Sequence, residues 1–143
     1  MKTSTIIEVY QLLNTAKLTK MESKEKFSVI KIMRAMKPVA EEWDSFVKTM
    51  DEKLKGENHE EMLSKAQQWQ KEGEKTTLSL DERMAVNEYF AKFNKDRTEM
   101  ITSEQSKEVN ILFDKLTEEA FERLVDSNDF NVGQIVALQE AIC

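Results

Sequence analysis

Val29, Ile32, Met36, Val39, Trp43, Phe46 and Met50 follow one another at alternating steps of three and four residues. That spacing lines them along one side of an α-helix for about six turns. A second column, Met33, Ala40, Val47 and Leu54, runs beside the first and widens the apolar face beyond the narrow seam of a coiled coil. The next seam position is Lys53, so the heptad stops after three repeats, short of what a free-standing coiled coil sustains. The pattern predicts one long helix over residues 23–55, opened by Ser23, closed at Gly56 and packed against several neighbours. Pro38 lies inside it, where proline deletes a backbone hydrogen bond and crowds the carbonyl of Arg34. Yet the stripe keeps its phase through Met36, Val39 and Trp43, with Pro38 on the opposite, solvent side. The expectation is a single kinked helix rather than two helices meeting at Lys37.

Shorter patterns flank this element. Ile6, Val9, Leu13 and Ala16 predict a helix over 3–18, which the polar link from Thr19 to Glu22 turns back antiparallel to the long one. Met62, Ala66 and Trp69 predict a helix over 58–72 that starts near Asn58 and stops at Gly73. Ser79 with Glu82 opens a helix over 80–97, whose inner face carries Val86, Phe90 and Phe93. Thr117 starts a helix over 117–126 and Asn131 one over 131–142, with Ala120, Phe121, Leu124, Ile135 and Leu138 as their apolar positions. Val109, Ile111 and Phe113 alternate with Asn110 and Asp114, so 108–113 is the one candidate strand. Residues 76–80 could pair with it as a short ribbon leaning on the helices. The predicted fold class is mainly α: a compact helical bundle, a single domain over 1–143 built around one long kinked helix, with at most that two-stranded β-ribbon.

Composition supports long helices. Three glycines and one proline in 143 residues leave few of the punctuators that an all-β or parallel-sheet fold needs. The net charge of −6 is unevenly placed. Residues 1–56 carry 11 Lys and Arg against 8 Asp and Glu, a net +3, and residues 57–143 carry 10 against 19, a net −9. The basic residues concentrate at Lys17, Lys20, Lys24, Lys26, Lys31, Arg34 and Lys37. A nucleic-acid site wants such a cluster on one face with aromatic rings for stacking, and here the aromatics lie on the buried seam. Nucleic acid is therefore disfavoured, and the choice is between a solvated helix face and a contact with an acidic partner protein. Candidate partner-contacting residues are Lys17, Lys20, Lys24, Lys31, Arg34 and Trp69.

Recognisable catalytic chemistry is absent from the pattern. His59 is the only histidine, and in His59-Glu60-Glu61-Met62-Leu63 the second histidine of a zinc protease motif is replaced by Leu63. His59 reads as an exposed polar residue in a helix's first turn. Asp126, Asn128, Asp129 and Asn131 suggest a calcium loop, but neither reading frame supplies both the turn glycine and the closing carboxylate. Gly56, Gly73 and Gly133 stand alone, so no phosphate-cradling loop is present. The expectation is a protein that is not an enzyme, with no metal, cofactor or small-molecule substrate. Cys143 has no partner for an intrachain disulfide, which points to a reducing, cytoplasmic setting. No apolar run reaches the length of a membrane span, and the start of the chain leads into an amphipathic segment rather than a signal peptide.

Lys24-Glu25-Lys26-Phe27 leading into Val29-Ile30-Lys31, with Val109-Asn110-Ile111 and Leu116-Thr117-Glu118-Glu119-Ala120-Phe121, resembles small uncharacterised helical proteins encoded among bacteriophage structural genes. The resemblance covers most of the chain in outline. It implies an assembly role in the host cytoplasm or virion, as a tail, neck or capsid-associated component or an assembly factor, and it carries no catalytic or binding residue. Two functional classes follow. One is a structural or assembly protein working through helix-face contacts with other proteins, whether copies of itself or phage structural proteins. The other is a small helical regulator or adaptor that holds an acidic protein or nucleic acid through the basic region 17–37.

Overall fold

The structure, a computed structural model, describes residues 1–143. The fold is mainly α, with six helices: α1 (Thr3–Thr15), α2 (Ser23–Leu54), α3 (His59–Glu72), α4 (Leu80–Gln105), α5 (Glu118–Asp126) and α6 (Val132–Ile142), and a 3₁₀ turn at Gly73–Lys75 after α3. Its residues gather into two compact units, the first made of Met1–Ser45 with Glu104–Cys143 and the second of Phe46–Ser103.

The first unit holds the principal core. Ile6, Val9 and Leu13 of α1, Val29, Ile32, Met36 and Val39 of α2, Phe121 and Leu124 of α5, and Leu138 and Ile142 of α6 are all buried together. The long helix therefore presents its three-four stripe inward, and burial of such branched side chains contributes about 1.5–3 kcal/mol each. Pro38 is exposed and α2 passes through it unbroken to Leu54. Water can satisfy the carbonyl that the proline ring frees on this side.

Several local expectations give way to tertiary bonds. The first helix ends at Thr15 rather than 18, with Ala16 extended. There the Asn128 side chain accepts the Lys17 N–H at 2.7 Å and donates to the Lys17 carbonyl at 2.8 Å, while Ser127 Oγ accepts the Lys20 N–H at 2.9 Å. These bonds pull the link out of the helical path. At the start of α2, Ser23 is already helical, and Glu25 caps the end by accepting the Glu22 N–H at 2.8 Å.

The candidate strand 108–113 does not form, nor does the ribbon with 76–80. Its backbone lies instead beside the N-terminal residues, with a single antiparallel bridge between Lys2 and Glu108 and bonds from the Thr3 N–H to the Lys107 carbonyl and from the Val109 N–H to the Met1 carbonyl, both 2.9 Å. The period-two pattern is nonetheless real. Val109, Ile111 and Phe113 are half-buried against the core, while Asn110, Leu112 and Asp114 are exposed. The segment is an extended strap with one face down, and a strap needs no ladder partner along its length.

The second unit is more thinly packed. Met50, Leu78 and Val86 are its buried apolar residues, and α3 buries none of its own side chains completely. Ser79 and Glu82 bond reciprocally to open α4, the Glu82 N–H to Ser79 Oγ at 3.1 Å and the Ser79 N–H to Glu82 Oε1 at 3.2 Å. That helix runs on past Arg97 to Gln105; Arg97 donates to Asp51 Oδ1 at 3.0 Å, and Met100 and Ile101 are half-buried. Polar residues separate Phe93 from Met100 and Ile101, so hydrophobic periodicity registers the extension poorly.

Candidate partner-binding face

Each turn of α2 that buries a seam residue also turns a side chain outward. Lys24, Phe27, Lys31 and Arg34 repeat at steps of three, four and three, so they form one outward column, with Ile30 beside it. Phe27 stands 63% exposed and Ile30 37%. Phe27 lies two residues before Val29, roughly 200° around the helix from the seam, so it cannot share the seam's burial. The strap brings one more apolar side chain here: Leu112 is 94% exposed and borders a shallow groove with Lys31, Phe113 and Asp114.

The cations of this column form no close ion pair. Lys17, Lys20, Lys24, Lys31 and Arg34 are exposed and none has a carboxylate within ion-pair distance, whereas Lys37 pairs with Glu41 at 3.8 Å. Lys24, Lys31 and Arg34 share the α2 face. Lys17 and Lys20 stand in the link before it, their backbones held by Asn128 and Ser127. The expectation that the aromatics of this region are all buried is corrected by Phe27.

Beneath the column lies the opposite kind of electrostatics. Glu25 is buried and receives a two-pronged contact from Arg123 of α5, Nε to Oε1 at 2.8 Å and Nη2 to Oε2 at 2.9 Å. The Arg123 hydrogen bond first, then the Glu22 backbone N–H, holds the Glu25 carboxyl below the usual glutamate range, and the same pairing raises Arg123. This pair fastens α5 to α2 and fixes the orientation from which the column projects.

Trp69 belongs to the second unit and not to the basic column. It is half-buried and lines an open groove of about 490 Å³ with Ala66, Gly73, Val86, Phe90 and Asn94. His59 is also not the exposed polar residue expected. It is half-buried, with Nδ1 2.6 Å from the Tyr89 hydroxyl, which also accepts the Gly56 N–H at 3.3 Å. The rings of Tyr89, Phe90 and Phe93 lie 5.6, 6.1 and 5.4 Å from its own, so His59 is a packing and turn-closing residue. No three His, Cys, Asp or Glu side chains converge in a group that could hold a metal. No helix is long and apolar enough to cross a membrane.

The chain matches no protein-family model, no curated protein and no solved structure. The geometry of its own surface is what a functional reading has to rest on.

Proposed function

We propose that this protein is a non-enzymatic assembly or interaction protein that works through helix-face contacts, with the outward column of α2 as its docking surface. The observation that carries the reading is Phe27, largely exposed in the middle of exposed cations that form no close ion pair. An exposed aromatic flanked by Lys and Arg suits the anchor of a protein interface, where large aromatic side chains and Arg supply most of the binding energy. The partner it fits is an acidic surface with an apolar centre. Ile30 and Leu112 add apolar area that a phosphate backbone could not use, which favours a protein over nucleic acid. The resemblance to phage structural-gene proteins supplies a setting, a tail, neck or capsid-associated component or an assembly factor, whose partner is another particle protein.

The test is affinity for a synthetic helical peptide bearing a Leu/Glu stripe, compared with duplex DNA by fluorescence anisotropy. The peptide is expected to bind more tightly, with an on-rate that falls as salt rises. Tighter binding of DNA, with the steep salt dependence of counterion release, would move the function to nucleic acid.

A further inference from the structure

A surface of the complementary kind lies on the same unit. The outward side of α6 exposes Val132 at 78% and Val136 at 45%, one turn apart and in line with Glu140 one turn further. Asp129 stands just before the helix, and Val132, Asp129 and Glu140 are all exposed. After Arg123 the chain contains no Lys or Arg at all, and although Glu140 borders a groove with Lys115, Asp126, Asp129 and Glu140 are all exposed. The column of α2 places exposed apolar Phe27 and Ile30 between Lys24 at one end and Lys31 and Arg34 at the other. The column of α6 places exposed apolar Val132 and Val136 between Asp129 and Glu140. From Lys24 to Arg34 is about 15 Å of helix and from Val132 to Glu140 about 12 Å, at 1.5 Å per residue, with Asp129 in the link that precedes α6. The two stripes share an apolar centre and are opposite in sign.

We propose that the occupant of the α2 face is a second copy of this chain, docking the outward face of α6. The proposal rests on the reading of the α2 column as a docking surface and names its partner. Both faces are exposed within one copy, so neither is satisfied by the other intramolecularly. A contact between unlike faces is heterologous: a pair of copies keeps one free α2 column and one free α6 column, on different copies, and repetition gives a ring or an open row of subunits. Phe27 and Leu112 present the apolar bulk on one side and Val132 and Val136 on the other, a small interface of the weak, reversible class. Association is therefore concentration-dependent, and its strength falls with salt.

A charge swap tests this with the full chain. One variant carries Lys31→Glu and Arg34→Glu, the other Asp129→Lys and Glu140→Lys; all four positions are exposed and outside the core. By sedimentation equilibrium the wild-type weight-average mass is expected to rise with concentration. Each variant alone opposes like charges and is expected to stay monomeric. Their equimolar mixture restores opposite charges at every contact and is expected to regain mass. Circular dichroism melting of both variants confirms that a loss of association is not a loss of folding. A wild type that is monomeric at every concentration, variants that associate as well as the wild type, or folded variants whose mixture stays monomeric would each overturn the self-pairing. If the copies stay apart while the Leu/Glu-stripe peptide still binds the α2 face, self-pairing alone fails; if the peptide does not bind either, the docking face fails with it.

Discussion

Glu25 and Phe27 are two residues apart in sequence and have opposite fates, because about 100° per residue around a helix separates the core side from the solvent side. Glu25 is the acid that goes inward, and it does so only because Arg123 meets both its oxygens. Its carboxyl is held below the ordinary glutamate value of 4.5. A group with a depressed folded-state pKa adds stability that is present above its unfolded pKa and lost as pH falls through the folded one. The urea midpoint of the wild type is therefore expected to drop as pH is lowered through and below the ordinary glutamate range. Glu25→Gln is expected to be less stable than wild type at neutral pH, and the difference is expected to shrink on acidification. A difference that stays constant across that range would show that the charge of Glu25 does not hold α5 to α2.

The element that matters most is α2, and its inward stripe is a case where local pattern and tertiary packing agree. The alternation of three and four from Val29 to Met50 is legible because burial on one side of a helix imposes it. Pro38 tests how far that agreement goes. The ring costs about 3 kcal/mol in a helix interior relative to Ala, less the unfolded-state entropy that proline removes. Since Pro38 is exposed, Pro38→Ala is expected to raise stability by about 1–2 kcal/mol, measured by chemical denaturation. Destabilisation would mean that the proline shapes α2 in a way the core requires. Elements held by polar bonds were less legible. The end of α1 is bonded to Asn128, more than a hundred positions away, and α4 is bonded through Arg97 to Asp51; neither partner can be inferred from local spacing. The strap 108–113 shows the reverse case, a correct alternation assigned to the wrong backbone arrangement, because period-two burial reports one covered face and says nothing of ladder partners. The lysines and arginine of the outward column are legible from charge concentration, whereas the exposure of Phe27 follows from its angle on α2 and not from its residue type.

At the scale of the whole molecule the two units are unequal. The first joins four helices through one contiguous set of buried side chains, whereas the second buries Met50, Leu78 and Val86 and leaves α3 without a fully buried residue. Opening free energies follow buried contact density. Hydrogen exchange is expected to be slowest in α2 from Val29 to Val39 and in α5 and α6, and faster by at least about tenfold in α3, the equivalent of about 1.4 kcal/mol. Uniform protection across both units would contradict the packing described. The proposed docking column stands on the better-packed unit, and a preorganised face loses less entropy on binding.

The claim on which the functional reading turns is that Phe27 anchors a partner between Lys24, Lys31 and Arg34. Titration of the Leu/Glu-stripe peptide into wild type and Phe27→Ala measures it directly. Phe27 lies outside the core, so the variant is expected to melt as wild type does. Its affinity for the peptide is expected to fall by about tenfold or more, the loss of about 1.4 kcal/mol or more that a truncated aromatic anchor gives. Equal affinity of the two proteins for the peptide would contradict the assignment of this face as the docking surface.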